Sequence, residues 1–350
     1  MPHDPAESRS HAASAQSTDP LIVEVTRGSM VESRHRVALA VVDSDGTVVM
    51  RHGDIERPVY GRSAIKPLQA LPLIETGAAD RFALTPVEIA LACASHSCEP
   101  AHIDAVSAWL HRIGLSADDL ECGSHLPMEE AAMKAVLCNG VKLTGVYNNC
   151  SGKHAGFLTT ARHMGEPTRG YIRLEHPVQQ RVLGVLEQMC GLDLSDAPRG
   201  IDGCGIPVIG IPLGNMALGM ARLADPGDLP PQRAAAAERI VTAMTSEPFM
   251  VAGSGRFCTV LMETLRRKAA IKTGAEGVYC GALPELGLGI ALKVEDGAGR
   301  AAEVAMGEIL VRLGVIDPDT HARLSDTLRP PVLNRVGLET GRVRPADSPF

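Results

Sequence analysis

The sequence predicts an α+β fold of layered type, in which a mixed, mainly antiparallel sheet is flanked by helices and interrupted by a helical subdomain. Apolar runs typical of strands lie near both ends of the 350-residue chain, and segments with helical apolar spacing fill its middle. Residues are 45% hydrophobic but only 3% aromatic, so the core must be aliphatic. The 35 glycines and 24 prolines indicate many tight turns.

The first elements are expected to be strands. Residues 21–25 form an apolar run, and residues 37–42 and 47–50 flank the turn Asp43-Ser44-Asp45-Gly46, which is typical of an antiparallel hairpin. Helices are then predicted from apolar spacing over residues 86–94, 101–113, 129–137, 154–164, 176–189 and 230–244. The late elements are expected to be strands over 257–265 and 287–294 and a helix over 301–313.

Composition excludes several classes of function. The formal net charge of -7 leaves no basic surface for a nucleic acid. The longest uncharged stretch, residues 203–221, contains prolines and glycines and predicts a strand, a loop and a helix start rather than a membrane span. The nine cysteines are odd in number and scattered, so we expect reduced thiols in the cytoplasm. Residues 1–20 lack the apolar segment of a signal peptide and are expected to be a disordered tail.

The motif Ser63-Ala64-Ile65-Lys66 places a hydroxyl and an amine three residues apart, on one face of a helical turn. A lysine whose pKa is lowered by burial can take the serine proton and create a nucleophile. The alternative is an ordinary exposed helix start. Tyr147-Asn148-Asn149 and Lys272-Thr273-Gly274 follow in the order found in penicillin-recognising serine hydrolases, although the Ser-Asp-Asn motif of those enzymes is absent.

A second group of residues lies in two glycine-containing segments, Cys150-Ser-Gly-Lys-His154 and Asp202-Gly-Cys-Gly-Ile-Pro207. Cys150 and Cys204 are two thiolate donors for a soft metal, with Lys153, His154, Asp202 or water completing the shell. The alternative is that both cysteines are small buried residues.

A third polar group, residues 95–102, follows an apolar helix and includes Ser95 and His96. Ser95 is a hydroxyl that a lysine can activate, but a serine before Glu-Pro is equally typical of a helix N-cap. The neighbouring histidines are expected to be structural.

Together these segments resemble the rhizobial-type, or class 3, asparaginase family, also called asparaginase II. The resemblance covers residues 21–343, which we expect to form one catalytic domain, and leaves residues 344–350 as a C-terminal tail. The segments that carry it are Arg27-Gly-Ser-Met-Val-Glu-Ser33, Ser63-Ala-Ile-Lys66, Ser95-His96 through Glu99-Pro100, Cys122-Gly-Ser-His125, Cys150-Ser-Gly-Lys-His154, Asp202-Gly-Cys-Gly-Ile-Pro207 and Lys272-Thr-Gly-Ala-Glu-Gly277.

The resemblance implies hydrolysis of the side-chain amide of L-asparagine to L-aspartate and ammonia, on a fold similar to serine β-lactamases and serine-dependent glutaminases. It implies that Ser63 is the nucleophile with Lys66 beside it, and that Ser95 and Lys272 form a second Ser-Lys tandem. It further implies a homodimer with a small-molecule substrate and no nucleic acid or membrane partner.

The same resemblance implies zinc at Cys150, Lys153 and Cys204, with His154 and Asp202 in the surrounding substrate site. A lysine ligand must lose its proton, so zinc affinity should fall at low pH. We therefore expect zinc to position the substrate rather than to activate water, with Asp202 facing the substrate ammonium.

Two other functions remain open from the sequence. In the first, Cys150 is the nucleophile and His154, one helical turn away, is its base. In the second, the chain is a zinc-dependent amino-acid-binding protein without turnover. A penicillin-binding or β-lactamase activity is disfavoured by the missing Ser-Asp-Asn motif.

Overall fold

The computed structural model describes residues 16–346. The strands are β1 Gln16–Ser17, β2 Leu21–Arg27, β3 Met30–Asp43, β4 Val48–His52, β5 Pro58–Tyr60, β6 Arg199–Ile201, β7 Pro207–Pro212, β8 Ala270–Thr273, β9 Val278–Leu283, β10 Leu288–Val294, β11 Pro331–Leu333 and β12 Glu339–Pro345. The helices are α1 Lys66–Gln69, α2 Leu71–Glu75, α3 Ala78–Arg81, α4 Pro86–Ala92, α5 Pro100–Arg112, α6 Glu130–Cys138, α7 Ser151–Met164, α8 Pro177–Cys190, α9 Leu213–Ala224, α10 Pro231–Ser246, α11 Pro248–Val251, α12 Phe257–Leu265, α13 Gly299–Arg312, α14 Pro318–Arg323 and α15 Ser325–Leu328.

Strands from both ends of the chain form the main sheet, in the order β11-β12-β2-β3-β10-β9-β8. Every neighbouring pair along this path is antiparallel. The long strand β3 pairs with β2 along its first half and with β4 along its second half, while β10 lies on its other edge. β1 adds a short parallel pair to β4, so the predicted mixed sheet is confirmed.

The predicted hairpin between β3 and β4 is also confirmed. The Asp43 carboxylate accepts a hydrogen bond from the Thr47 backbone N–H at 2.7 Å. Gly46 has a φ of +90°, a conformation that residues with a side chain rarely adopt. The turn therefore depends on the Asp and Gly that predicted it.

The core lies on both faces of the main sheet. All six residues of β9 are buried, and because successive strand residues face opposite sides, both faces must be covered. Helices α9 and α13 pack against the sheet, α9 mainly on β10 and β3. The buried side chains are largely aliphatic, as the composition predicts.

The helical subdomain is inserted between β5 and β6 and contains α1 to α8. Its two ends meet in a small antiparallel sheet, in which β7 pairs with both β5 and β6. The turn that follows β5 and the loop that joins β6 to β7 are therefore brought close together. These two segments carry Ser63 and Cys204.

One predicted element is wrong. Residues 257–265 form helix α12 rather than a strand. The buried positions include Phe257, Leu261, Met262 and Leu265, a spacing of three to four residues that places them on one helical face. A short apolar run fits a buried strand and a buried helix equally well, so this run did not by itself distinguish the two.

Part of each predicted tail, residues 1–20 and 344–350, forms a strand in the structure. Residues 1–15 lie outside the described range, but Gln16 and Ser17 pair with Arg51 and His52 of β4. At the other end, β12 continues through Arg344 to Pro345 because these residues still pair with β2. Residues 347–350 lie outside the described range.

The uncharged stretch 203–221 forms a loop, strand β7 and most of helix α9, as predicted. Between residues 16 and 346, no helix combines the length and apolar character needed to cross a bilayer.

Candidate active site

The site begins where helix α7 meets the end of α4. A Cβ atom on Gly152, in the first turn of α7, would lie 2.3 Å from the Leu91 carbonyl oxygen, so only glycine permits this approach. The His96 backbone N–H donates to the Asn149 carbonyl at 3.2 Å. This packing places the loop that carries Ser95 beside the start of α7.

A second close approach joins strand β8 to the turn after β5. A Cβ atom on Gly274 would lie 3.0 Å from the Ala64 backbone nitrogen and 3.1 Å from the Gly61 carbonyl oxygen. The Lys-Thr-Gly segment therefore lies directly against the turn that carries Ser63. This contact brings Lys272, two residues earlier on β8, into the site.

The Ser95 hydroxyl lies between two lysine amines. Lys272 Nζ donates to Ser95 Oγ at 2.8 Å, and Lys66 Nζ donates to it at 3.0 Å. All three residues are buried. The structure thus brings Ser95 and Lys272 together, as the resemblance implies, and adds Lys66 to the same hydroxyl.

Burial lowers the pKa of both amines. For Lys272, loss of hydration and repulsion from Lys66 lower the pKa to about 7. For Lys66, burial is again the main cause of a lowered pKa, opposed by the nearby Cys150 thiol. A neutral lysine that can accept a proton near neutral pH is therefore available next to a serine hydroxyl.

Ser63 occupies the 3-10 turn Arg62–Ile65 and is half-buried. Within residues 16–346 its hydroxyl makes no hydrogen bond. Lys66 Nζ instead contacts the Ala94 carbonyl, Ser95 Oγ and, at 3.2 Å, Cys150 Sγ. The sequence predicted a proton shared between Ser63 and Lys66, whereas the structure joins Lys66 to Ser95.

The two predicted thiol ligands meet on the other side of Lys66. Interaction between the Cys150 and Cys204 thiols lowers the pKa of Cys150 and raises that of Cys204. Lys153 Nζ lies 2.9 Å from Cys204 Sγ. Burial opposes the charge of Lys153, but attraction to the two cysteines outweighs it and raises its pKa. The pair therefore holds one negative charge beside an ammonium.

The side chains of Cys150, Cys204 and Lys153 are candidate ligands for a metal ion. Among residues 16–346, no group of three or more His, Cys, Asp or Glu side chains is arranged to hold one. Two thiols and one amine do converge at Cys150, Cys204 and Lys153. Two thiolates suit zinc, and the amine becomes a third ligand only after it loses its proton. The residues present therefore fit a soft metal with an unusual lysine ligand.

Asp202 links the thiol loop to the turn of Ser63. Its carboxylate accepts a hydrogen bond from Arg62 at 2.8 Å and another from the Gly203 backbone N–H at 2.7 Å. Burial tends to raise the pKa of Asp202, but Lys153 and Arg62 outweigh it and lower the pKa. Sequence reasoning missed Arg62, because no motif spacing connects an arginine to an aspartate so far along the chain.

His154 lies deeper than the sequence predicted. It is fully buried, and its Nδ1 is hydrogen-bonded to the Tyr171 hydroxyl at 2.8 Å. Its Nε2 has no hydrogen-bond partner among the described residues. Its ring packs edge-on against Phe157 and Tyr171. This position supports the start of α7. The His154 backbone N–H donates to the Cys150 carbonyl at 3.0 Å, but among the described residues no hydrogen bond joins the His154 ring to the Cys150 thiol.

A further contact was not anticipated from the sequence. His96 Nε2 is hydrogen-bonded to Ser151 Oγ at 2.9 Å, and both residues are buried. The Cys98 backbone N–H donates to His96 Nδ1, so Nε2 carries the proton. This hydrogen bond therefore joins the segment that begins at Ser95 to the segment that begins at Cys150.

The chain is similar to several proteins of known structure. No curated protein matches the sequence. A structure of Mglu in its native form has 15% identity and a TM-score of 0.42, covering 82% of this chain and 63% of that chain, so this chain spans less than two thirds of it. A β-lactamase from Mycobacterium bovis has 14% identity and a TM-score of 0.41, covering 83% of this chain and 95% of that one.

Simvastatin synthase from Aspergillus terreus has 13% identity and a TM-score of 0.34, with 74% of this chain and 84% of that one covered. The sequence profile of one family, described as L-asparaginase II, matches residues 23–345. This range includes every residue of the site, from the turn of Ser63 to strand β8. The chain therefore belongs to the L-asparaginase II family.

Proposed function

We propose that the protein is an L-asparaginase that hydrolyses L-asparagine to L-aspartate and ammonia through a serine nucleophile activated by lysine. Membership of the L-asparaginase II family supports an amidohydrolase of asparaginase type. The observation that carries the proposal is the Ser95 hydroxyl held between the buried amines of Lys66 and Lys272, beside the turn of Ser63. Such an arrangement supplies both a base and an acid for amide hydrolysis.

In the proposed first step, Ser63 Oγ attacks the side-chain amide carbon and its proton passes to the neutral Lys66 amine. Residues three apart on a 3-10 turn project on the same side, so rotation of either side chain brings the hydroxyl and the amine together. Ser63 is half-buried whereas Ser95 is buried, which favours Ser63 as the residue that meets the substrate.

The tetrahedral intermediate then expels ammonia. The leaving nitrogen takes a proton that reaches it from Lys66 or, through Ser95, from Lys272, because both amines donate to the Ser95 hydroxyl. An ester of Ser63 remains. Water attacks this ester, a neutral amine takes the water proton, and L-aspartate leaves as Ser63 regains its proton.

The substrate would be oriented by charges around the thiol loop. We propose that Cys150, Cys204 and Lys153 hold zinc, which would supply a fixed positive charge for a substrate carboxylate. Asp202, with a lowered pKa, keeps a negative charge that suits the substrate ammonium. Arg62 holds that carboxylate in place from the turn of Ser63.

We propose that the protein works in the cytoplasm and that it assembles as a homodimer. The nine cysteines of the chain all lie within residues 16–346, and each is a free thiol there. Free thiols in this number suit a reducing compartment. Sedimentation velocity of the purified chain tests the dimer.

The decisive experiment measures ammonia release from L-asparagine, L-glutamine and a β-lactam by the wild type and by Ser63→Ala and Ser95→Ala. Ser107→Ala is the matched control, since Ser107 is an exposed serine on α5 whose hydroxyl contacts only a backbone carbonyl. We expect turnover of L-asparagine that Ser63→Ala abolishes and Ser107→Ala leaves unchanged.

Two results would replace the proposal. Full activity in Ser63→Ala together with its loss in Cys150→Ala would make the thiol the nucleophile. Binding of L-asparagine by folded, zinc-loaded wild type without release of ammonia would identify an amino-acid-binding protein.

A further inference from the structure

A cavity lies beside the small sheet, and its walls include none of the lysines and thiols of the candidate active site. Its volume is about 540 Å³, and its walls include Pro58 and Tyr60 of β5, Pro198, and the charged side chains of Arg57, Arg62, Glu276 and Lys293. Sites for small molecules commonly have volumes of about 300 to 1,000 Å³. The space holds a small ligand together with the waters that bridge it.

The walls are stiff. β5 and β7 pair from Pro58 opposite Pro212 to Tyr60 opposite Gly210. A Cβ atom on Gly210 would lie 3.4 Å from Pro198, so the strand and the proline are in contact. Prolines and paired strands lose little conformational freedom when a ligand binds. The cavity is therefore already formed without a ligand.

Among the described residues, two cations of the cavity make no hydrogen bond or ion pair to a side chain, although Glu276, Asp296 and Glu295 attract Lys293 electrostatically. Within residues 16–346, the Arg57 guanidinium makes no hydrogen bond or ion pair, and Lys293 Nζ donates only to the Val294 carbonyl. Arg62 differs, because Asp202 already balances its charge. Arg57 and Lys293 thus leave two positive charges open to an anion.

Acidic residues near Lys293 can offset this positive charge. Glu295 and Asp296 lie close in sequence, but Glu295 is paired with Arg36 at 3.1 Å and Asp296 with His35 at 2.6 Å. Glu276 alone lines the cavity, and its carboxylate makes no hydrogen bond among the described residues. The open charges are therefore two positive and one negative.

We propose that this cavity binds an amino dicarboxylate, a ligand with two carboxylates and one ammonium. The two carboxylates would face Arg57 and Lys293, and the ammonium would face Glu276. Tyr60 is exposed at the wall and offers a hydroxyl and an apolar ring to the carbon chain. The walls of the cavity include Arg62 of the Ser63 turn but none of Ser63, Ser95, Lys66 and Lys272, and the inference does not depend on the proposed reaction.

Isothermal titration calorimetry of the full chain with L-aspartate, and with succinate as the analogue without an ammonium, tests the site. The variant Arg57→Ala/Lys293→Met removes both cations and keeps the apolar stem at residue 293. Its matched control is Arg267→Ala/Lys268→Met, a pair of exposed basic residues beside α12. We expect the number of L-aspartate molecules bound per chain to fall by one in the first variant and to stay unchanged in the control.

The variant Glu276→Gln tests the contact to the ligand ammonium separately from the contacts to the ligand carboxylates. This change should weaken L-aspartate binding in the cavity about tenfold, the usual effect of losing one charge-assisted hydrogen bond, and leave succinate binding unchanged. Because the Arg57 side chain is exposed, Arg57→Ala alone should fold normally and weaken both ligands if the double variant does not fold.

Equal stoichiometry and affinity in Arg57→Ala/Lys293→Met and in its control would overturn the proposal. So would the absence of L-aspartate binding to the wild type at millimolar concentration. Neither result bears on whether Ser63→Ala abolishes ammonia release, so failure of this inference is distinguishable from failure of the proposed reaction.

Discussion

Two buried lysines of the site show opposite electrostatic behaviour. Lys272 and Lys153 are both inaccessible to solvent, yet the pKa of Lys272 is lowered to about 7 while that of Lys153 is raised. Lys272 faces a serine hydroxyl and a second lysine, whereas Lys153 faces two thiols that share a negative charge. Burial alone favours the neutral form of both amines, so the neighbours decide the outcome.

The difference separates two tasks. The region around Ser95, with neutral amines and a hydroxyl, is suited to moving protons. The region around Cys204, with thiols and a balancing cation, is suited to holding a charged group in place. Lys66 touches both regions, since its amine contacts Ser95 Oγ and Cys150 Sγ. The four predictions that follow test this division, from the largest expected effect to the smallest.

Removing a proton-transfer amine should have the largest effect. Lys66→Met and Lys272→Met are each expected to lower kcat by about 10² to 10⁴, the usual contribution of a general base. Steady-state ammonia release measures this effect. Lys134→Met, on the exposed ion pair with Glu130, is the control and should retain full activity. Activity within a factor of two of wild type in both site variants would place proton transfer elsewhere.

Removing a thiol should change binding more than chemistry. Cys204→Ser is expected to lose bound zinc and to raise KM about tenfold or more, with a smaller change in kcat, because the loss concerns substrate positioning. Zinc is measured by elemental mass spectrometry on the same samples as the kinetics. Cys138→Ser, at an exposed thiol, should keep the metal. An unchanged KM in zinc-free protein would remove the positioning role.

The packing that joins the two regions can be tested by adding one methyl group. Gly152→Ala would place a Cβ atom 2.3 Å from the Leu91 carbonyl, so we expect a destabilisation of about 1 to 3 kcal/mol and weaker activity. Gly184→Ala is the matched control, since nothing lies within 4 Å of a Cβ atom at that position inside α8. That variant should be as stable as wild type or more so. Urea unfolding gives both values, and equal stabilities would contradict the packing argument.

The smallest effect is a pH dependence. Because the pKa of Lys272 is lowered to about 7, its neutral fraction grows as the pH rises through this value. We expect kcat to increase about twofold between pH 7 and pH 8 and then to level off. This rise is typical of a general base that acts only when it is unprotonated. The profile is measured at constant ionic strength. A kcat that falls over this interval would require the ammonium form instead.

Much of the fold was predictable, because hydrophobic period and turn residues report local structure. The hairpin at Asp43–Gly46 and the single helices of the insertion are examples, because each depends on residues within one short segment. Helix α12 was missed because a short apolar run fits a buried strand and a buried helix equally well. Its type is decided by packing, with Phe257 stacked edge-on against Tyr279 of β9.

The candidate site was predictable as a set of residues but not as a set of contacts. The family resemblance implied a tandem of Ser95 and Lys272, and the structure joins these two side chains at 2.8 Å. Neither the Lys66 bond to Ser95 nor the Arg62 pair with Asp202 has a sequence signal, because both join segments far apart in the chain. Likewise, the depth of His154 depends on Tyr171, which no motif includes.

The pairing of β5 with β7 has a consequence for the order of folding. It closes a loop that contains the whole helical insertion, and closing a long loop has an entropic cost that only later contacts repay. We therefore expect the insertion to be largely compact before the small sheet forms. Ser63 lies at one end of that loop and Cys204 at the other, and the turn of Ser63 contacts the main sheet at Gly274, two residues after Lys272. We therefore expect the geometry of the candidate site to form late in folding and to be lost early on unfolding.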